Sequence, residues 1–147
     1  MNGRLTVSCS FLPSGPRVRT FVGRFDSREP CQDGLLPSPF DNPDHLVELF
    51  RAKTIQPRGL AALLGAHSTS RQRFLEPAKF GFPQDSTPGV WDVLFYSQSL
   101  GAGSPDIFRF PSDVLLAEDP RLYPSFLTFG AKTGQAPWNF VSQPRLR

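Results

Sequence analysis

A chain of 147 residues is long enough for one domain with a true core. Hydrophobic residues make up 39% with no apolar run near 18 residues, which excludes a membrane-spanning helix; 16 prolines and 12 glycines, about 19% of the chain, fall short of a disordered composition but predict long loops. The net charge of +3 comes from scattered arginines, among them Arg17, Arg19 and Arg24, then Arg71 and Arg73, then Arg145 and Arg147, and not from the concentrated patch that nucleic-acid binding needs.

The opening MNGRLTVSCSF lacks an apolar stretch of signal-peptide length. Cys9 and Cys31 are too few for a disulfide framework and form no CxxC metal motif, so their state stays open between free, paired together and paired elsewhere. Residues 1–41 read as loop-rich. Arg17 to Val22 alternates and predicts at most one brief strand. Asp33 to Phe40 must be extended around Pro37 and Pro39, because proline fixes its own backbone and restricts the residue before it.

Asn42 as cap and Pro43 at the first position predict a helix to about Lys53, with Leu46, Val47, Leu49 and Phe50 as its apolar stripe. Pro57 predicts the start of a second. Along it Leu60, Leu63, Leu64 and His67 recur at helical spacing, so the histidine is expected to share the leucine face and point into the core. Gly65 in that helix costs about 1 kcal/mol relative to alanine, which predicts that something nearby, such as a flat ligand, needs the missing side chain. Residues 76–92 read as a long loop, 90–100 as a short helix, 108–110 as a strand or turn, and Ser112-Asp113 as the cap of a helix through Ala117. A last helix is expected within 121–129, followed by an irregular tail.

Three segments carry chemistry. In LLGAHS, a neutral histidine on an apolar helix face suits haem iron, although a core histidine bonded to backbone would look the same. In DSTPGVWD, two carboxylates flank a hydroxyl and a kinked backbone. Calcium takes such oxygens, and a turn in which aspartates cap backbone amides has the same composition. In FPSD, a buried aspartate could accept the second imidazole proton of His67, or simply cap a helix.

Taken together, GLAALLGAHSTSRQRF resembles the proximal-histidine motif of plant-type haem peroxidases, and DSTPGVWD resembles the calcium loop of the fungal class II secreted members. Asp85 falls 18 positions after His67, as that pattern has it. PRVRTFVGR and DGLLPSPF resemble the segments that precede the motif, and RFPSD with LAEDPR resembles the one supplying the aspartate partner. The resemblance covers residues 15–129, leaving 1–14 unmatched and 130–147 as the tail.

It implies a mainly α, loop-rich proximal domain of a haem peroxidase, truncated, that binds haem b and calcium. His67 would be the axial iron ligand and Asp113 its hydrogen-bond partner. Ser68, Asp85, Thr87 and Asp92, with the Val90 carbonyl, would hold calcium next to it. Pro37 and Pro39 would lie at the haem edge, and Arg71 or Arg73 would meet a propionate. Hydrogen peroxide and small reducing substrates would be its partners, with no nucleic acid or membrane, and its setting extracellular. The chain departs from the pattern in several places. No Arg-x-x-Phe-His segment supplies the distal acid–base pair, and the other histidine, His45, lies on a different helix. That absence implies weak or no peroxidase turnover, a truncated gene product, and an uncovered apolar surface prone to self-association. Ala62 replaces the tryptophan of lignin peroxidases, Arg73 the aspartate of manganese peroxidases, and Gln84 a phenylalanine expected under the haem.

Overall fold

The computed structural model describes residue 23, residues 25–101 and residues 103–131. Among these residues every regular element is helical: α1 (Pro43–Ala52), α2 (Pro57–Leu64), α3 (Leu94–Leu100), α4 (Pro111–Glu118) and α5 (Tyr123–Gly130). Short 3₁₀ turns cover Gly65–Thr69 and Pro77–Lys79. The fold is mainly α, as the sequence implies. The expected strand over Arg17–Val22 lies outside the described residues.

α1 starts where local rules place it. The Asn42 side chain accepts from the His45 amide at 2.8 Å, and Pro43 occupies the first turn. Pro57 likewise occupies the first turn of α2, where no side chain caps the helix. α3 begins only at Leu94 and not at Val90, because the preceding residues are committed to a loop; Asp92 Oδ1 accepts from the Leu94 amide at 2.9 Å. Residues 108–110 form no strand. They run extended, held to the long loop by a bond from the Phe108 amide to the Pro83 carbonyl at 2.8 Å.

α3 is the hub, packing against α4, α5 and the 3₁₀ turn that follows α2. Its Phe95 and Tyr96 are fully buried, and Tyr96 meets Phe126 and Phe129 of α5 at ring separations of 5.2 Å each. Leu46 and Val47 of α1, Leu60 to Ala62 of α2, and Leu116 and Ala117 of α4 complete the core.

Tyr96 also explains Gly65. Its hydroxyl donates to the Ala61 carbonyl at 2.9 Å, and a Cβ at position 65 would stand 2.5 Å from that oxygen. The expected neighbour was a flat ligand; the space is taken by a tyrosine of the core. Burial raises the Tyr96 phenol far above its ordinary value, so it stays a neutral donor.

Candidate functional site

α2 does not continue to His67. The chain tightens into the 3₁₀ turn over Gly65–Thr69, and three residues at that pitch rotate His67 by about 60° from its α-helical position. The imidazole lies at the edge of a cavity that Leu60, Leu63 and Leu64 also line, so it shares the leucine face as expected, but its side chain is 31% exposed and not enclosed in the core. The cavity measures about 330 Å³, and its wall is mostly apolar. Leu60, Leu63 and Leu64 of α2 and Leu46 and Phe50 of α1 face it. Pro37 and Pro39 form its rim, held to α4 by a bond from the Ser112 amide to the Pro39 carbonyl at 3.0 Å.

Asp113 reaches the same cavity from the first turn of α4. It does not cap that helix: the N-cap is Phe110, and no side chain bonds to the cap. The carboxylate, 2% exposed, instead accepts from His67 Nδ1 at 2.8 Å. A buried carboxylate so placed fixes the tautomer and the plane of the ring, which leaves Nε2 as the nitrogen free to act as a ligand or base. Phe95 and Phe110 meet the imidazole in edge-to-face contacts, with centroids 5.6 and 5.8 Å away. Sequence reasoning missed both rings, and no spacing signal marks them. Gln84, noted only as a departure from the expected pattern, is buried and donates from Nε2 to Asp113 Oδ2 at 3.1 Å.

A second cluster lies directly behind His67. Ser68 Oγ donates to the Val90 carbonyl at 3.3 Å, and Thr87 Oγ1 to Asp92 Oδ2 at 2.7 Å. Asp85 is fully buried; its Oδ1 accepts from the Thr87 amide at 2.9 Å, whereas its Oδ2 is buried with no hydrogen-bond partner. Burial lifts the Asp85 carboxyl above its ordinary value, and the Asp92 carboxylate nearby adds to that. The Ser68 hydroxyl and the Thr87 amide pull it partway back. An orphaned buried carboxylate oxygen needs a proton or a cation. Among the described residues no three His, Cys, Asp or Glu side chains come together, so a cation here would rely on hydroxyl and carbonyl oxygens beside the two carboxylates.

The structure thus brings Ser68, Asp85, Thr87, Val90 and Asp92 together, and Pro37, Pro39, His67 and Asp113 separately around one cavity. Arg71 and Arg73 stand apart from both groups. Arg71 Nη1 donates to the Gly81 carbonyl at 2.9 Å, and Arg73 lies over the Phe80 ring, 5.9 Å from its centroid. Neither lines the cavity. His45 is exposed, 3.8 Å from Asp41. Cys31 is exposed, and Cys9 lies outside the described residues.

The family model described as "Peroxidase" matches residues 2–132. The chain is 32% identical over 132 residues to a protein named Ligninase LG5 from Phanerodontia chrysosporium, covering 78% of this chain and 36% of that protein. It is 33% identical over 101 residues to Ligninase C from Trametes versicolor, covering 67% and 27%. It is 33% identical over 131 residues to a protein named Peroxidase from Arthromyces ramosus, covering 78% and 36%. The chain therefore spans about a third of the length of the curated relatives it matches.

Proposed function

This chain belongs to the peroxidase family, and from that premise we propose that it is the proximal side of a haem- and calcium-dependent peroxidase that oxidises small donors with hydrogen peroxide. The observation that carries the reading is the His67–Asp113 pair, 2.8 Å apart at the edge of an apolar cavity. Haem, when bound, would supply the redox chemistry with peroxide.

The residues present fit that group. An apolar wall of leucines suits a macrocycle, and it leaves one nitrogen base, His67 Nε2, for iron. Asp113 orients the ring and strengthens it as a donor. Phe95 and Phe110 pack edge-to-face against the imidazole and would support its orientation. Pro37 and Pro39 shape the rim where small donors would approach. The partnerless Asp85 oxygen makes calcium a fit for the second cluster. Ser68 adjoins His67 in the chain, so holding Ser68 in place holds the ligand-bearing turn. Arg71 and Arg73 take no part in this assignment.

The test is direct. Haem titrated into the purified chain with calcium should give a Soret band, which His67→Ala abolishes. A dye should then be oxidised only when peroxide is added. Absence of any Soret band overturns the reading. A second reading, confined to these 147 residues, is haem binding without turnover: they hold no Arg-x-x-Phe-His segment, and their other histidine, His45, is outside the cavity. A Soret band with no dye oxidation would select it. We also place the protein outside the cell, in keeping with the resemblance to secreted fungal peroxidases. Recovery from culture medium checks this, and confinement to cells overturns it.

A further inference from the structure

Gln84 has 2% of its surface exposed, and the proposed function gives it no task. A buried amide carries two donor hydrogens and an acceptor oxygen that need partners. Here the partners fix which end points where. The Ser70 hydroxyl donates to Gln84 Oε1. Nε2 lies 3.1 Å from Asp113 Oδ2. Turned over, the amide would set its carbonyl oxygen against a carboxylate oxygen and its NH₂ against the Ser70 hydroxyl. The N–H therefore faces Asp113. The oxygen it reaches, Oδ2, is the same one that accepts from His67 Nδ1 at 2.8 Å.

The backbone makes this convergence. After the turn that carries His67, the chain runs antiparallel to the segment before Asp85, with Arg71 opposite Pro83. The Gln72 amide bonds to the Phe82 carbonyl at 3.0 Å, and the Gln84 amide to the Ser70 carbonyl at 3.2 Å. Gln84 is thereby locked beside the His67 turn while its side chain crosses to α4.

We propose that Gln84 is a positioning residue that tunes His67 through Asp113. Its N–H holds the carboxylate in register and draws off part of its negative charge. An oxygen shared between two donors accepts less strongly from each, so His67 is a weaker electron donor than Asp113 alone would make it. The inference deepens the haem-ligand reading and rests on it. A weaker axial donor stabilises the ferric state less, which raises the reduction potential.

The test uses the full chain with Gln84→Met, which keeps the length and removes the donor, and Ser70→Ala, which removes the hydroxyl that anchors the amide oxygen and so loosens the N–H on Asp113. The first readout needs no haem: the proton resonance of His67 Nδ1–H in labelled protein. It should move downfield in Gln84→Met, and in the same direction by less in Ser70→Ala. The second is the ferric/ferrous potential of the haem-loaded chain. Gln84→Met should shift that equilibrium about tenfold toward ferric, about 59 mV for one electron. A folded Gln84→Met with either readout unchanged overturns the proposal. If Gln84→Met does not fold, Ser70→Ala decides by the same two readouts. If the parent takes up no haem, the ligand reading fails separately, and the resonance alone decides whether Gln84 governs the imidazole proton.

Discussion

Asp113 and His67 stand 46 residues apart in the chain and 2.8 Å apart in space, one on the first turn of α4 and the other on the 3₁₀ turn after α2. The carboxylate is almost fully buried, and the ring it holds is partly open to the cavity. Such an arrangement gives the imidazole a fixed direction while leaving one nitrogen accessible.

Asp113→Ala should therefore disturb both binding and stability. It leaves His67 Nδ1 without its acceptor and strands the buried Gln84 amide. A buried donor without a partner costs about 1–3 kcal/mol, and loss of such an outer partner lowers metal affinity roughly 10–100-fold. Haem titration and a denaturant melt check the two parts. Unchanged affinity would remove Asp113 from its assigned role.

Gly65→Ala should destabilise the chain although alanine is the better helix former. The new Cβ would meet the Tyr96 hydroxyl, which Ala61 and Ala62 hold in place. Overpacking of this kind costs about 1–3 kcal/mol, read as a drop in melting temperature. Adding Tyr96→Phe removes the obstructing oxygen, so the double variant should lose less than the sum of the two single losses. Strict additivity would show that the contact is not the cause.

In calcium-free protein the Asp85 contribution to stability should fall as pH rises from below 3.8. The Asp85 carboxyl is raised in the folded chain, chiefly by burial, so folding binds its proton more tightly than the unfolded chain does. Ionising it then works against the fold, up to the raised folded value. Calcium should reverse the trend. At a concentration 100 times its dissociation constant it adds about 2.7 kcal/mol. Asp85→Asn should remove that contribution and abolish the calcium effect. A calcium response that survives this substitution would place the ion elsewhere.

Asp119 should give the opposite acid response. Its carboxyl is lowered, first by the Arg121 side chain, whose Nε and Nη2 donate to it at 2.9 and 2.7 Å. The same Arg121 Nη2 reaches Asp44 of α1 at 2.7 Å, tying the α4–α5 link to α1. A lowered carboxyl contributes stability above its unfolded value of 3.8, and this is lost as pH falls through the folded value. Asp119→Asn should remove that portion of the acid transition. Thermal melts between pH 2 and pH 5 decide it, and an unaltered acid limb would exclude Asp119 as its source.

Much of the helical framework was legible without coordinates. Asn42 and Pro43, and then Pro57, act on the backbone within one turn, so their effects can be read from neighbours in the chain. The order and spacing of the His67, Asp85 and Asp113 segments also suffice to point to the family. Other features belong to tertiary structure alone. Tyr96 filling the space at Gly65, Asp113 leaving its cap position for His67, Phe95 and Phe110 flanking the ring, and Gln84 joining them all depend on how α2, α3 and α4 pack. Local propensity reaches only a few residues along the chain. Which polar atom meets which across a buried interface is decided by the need of every buried donor and acceptor for a partner, and that need is met only once the helices are in place.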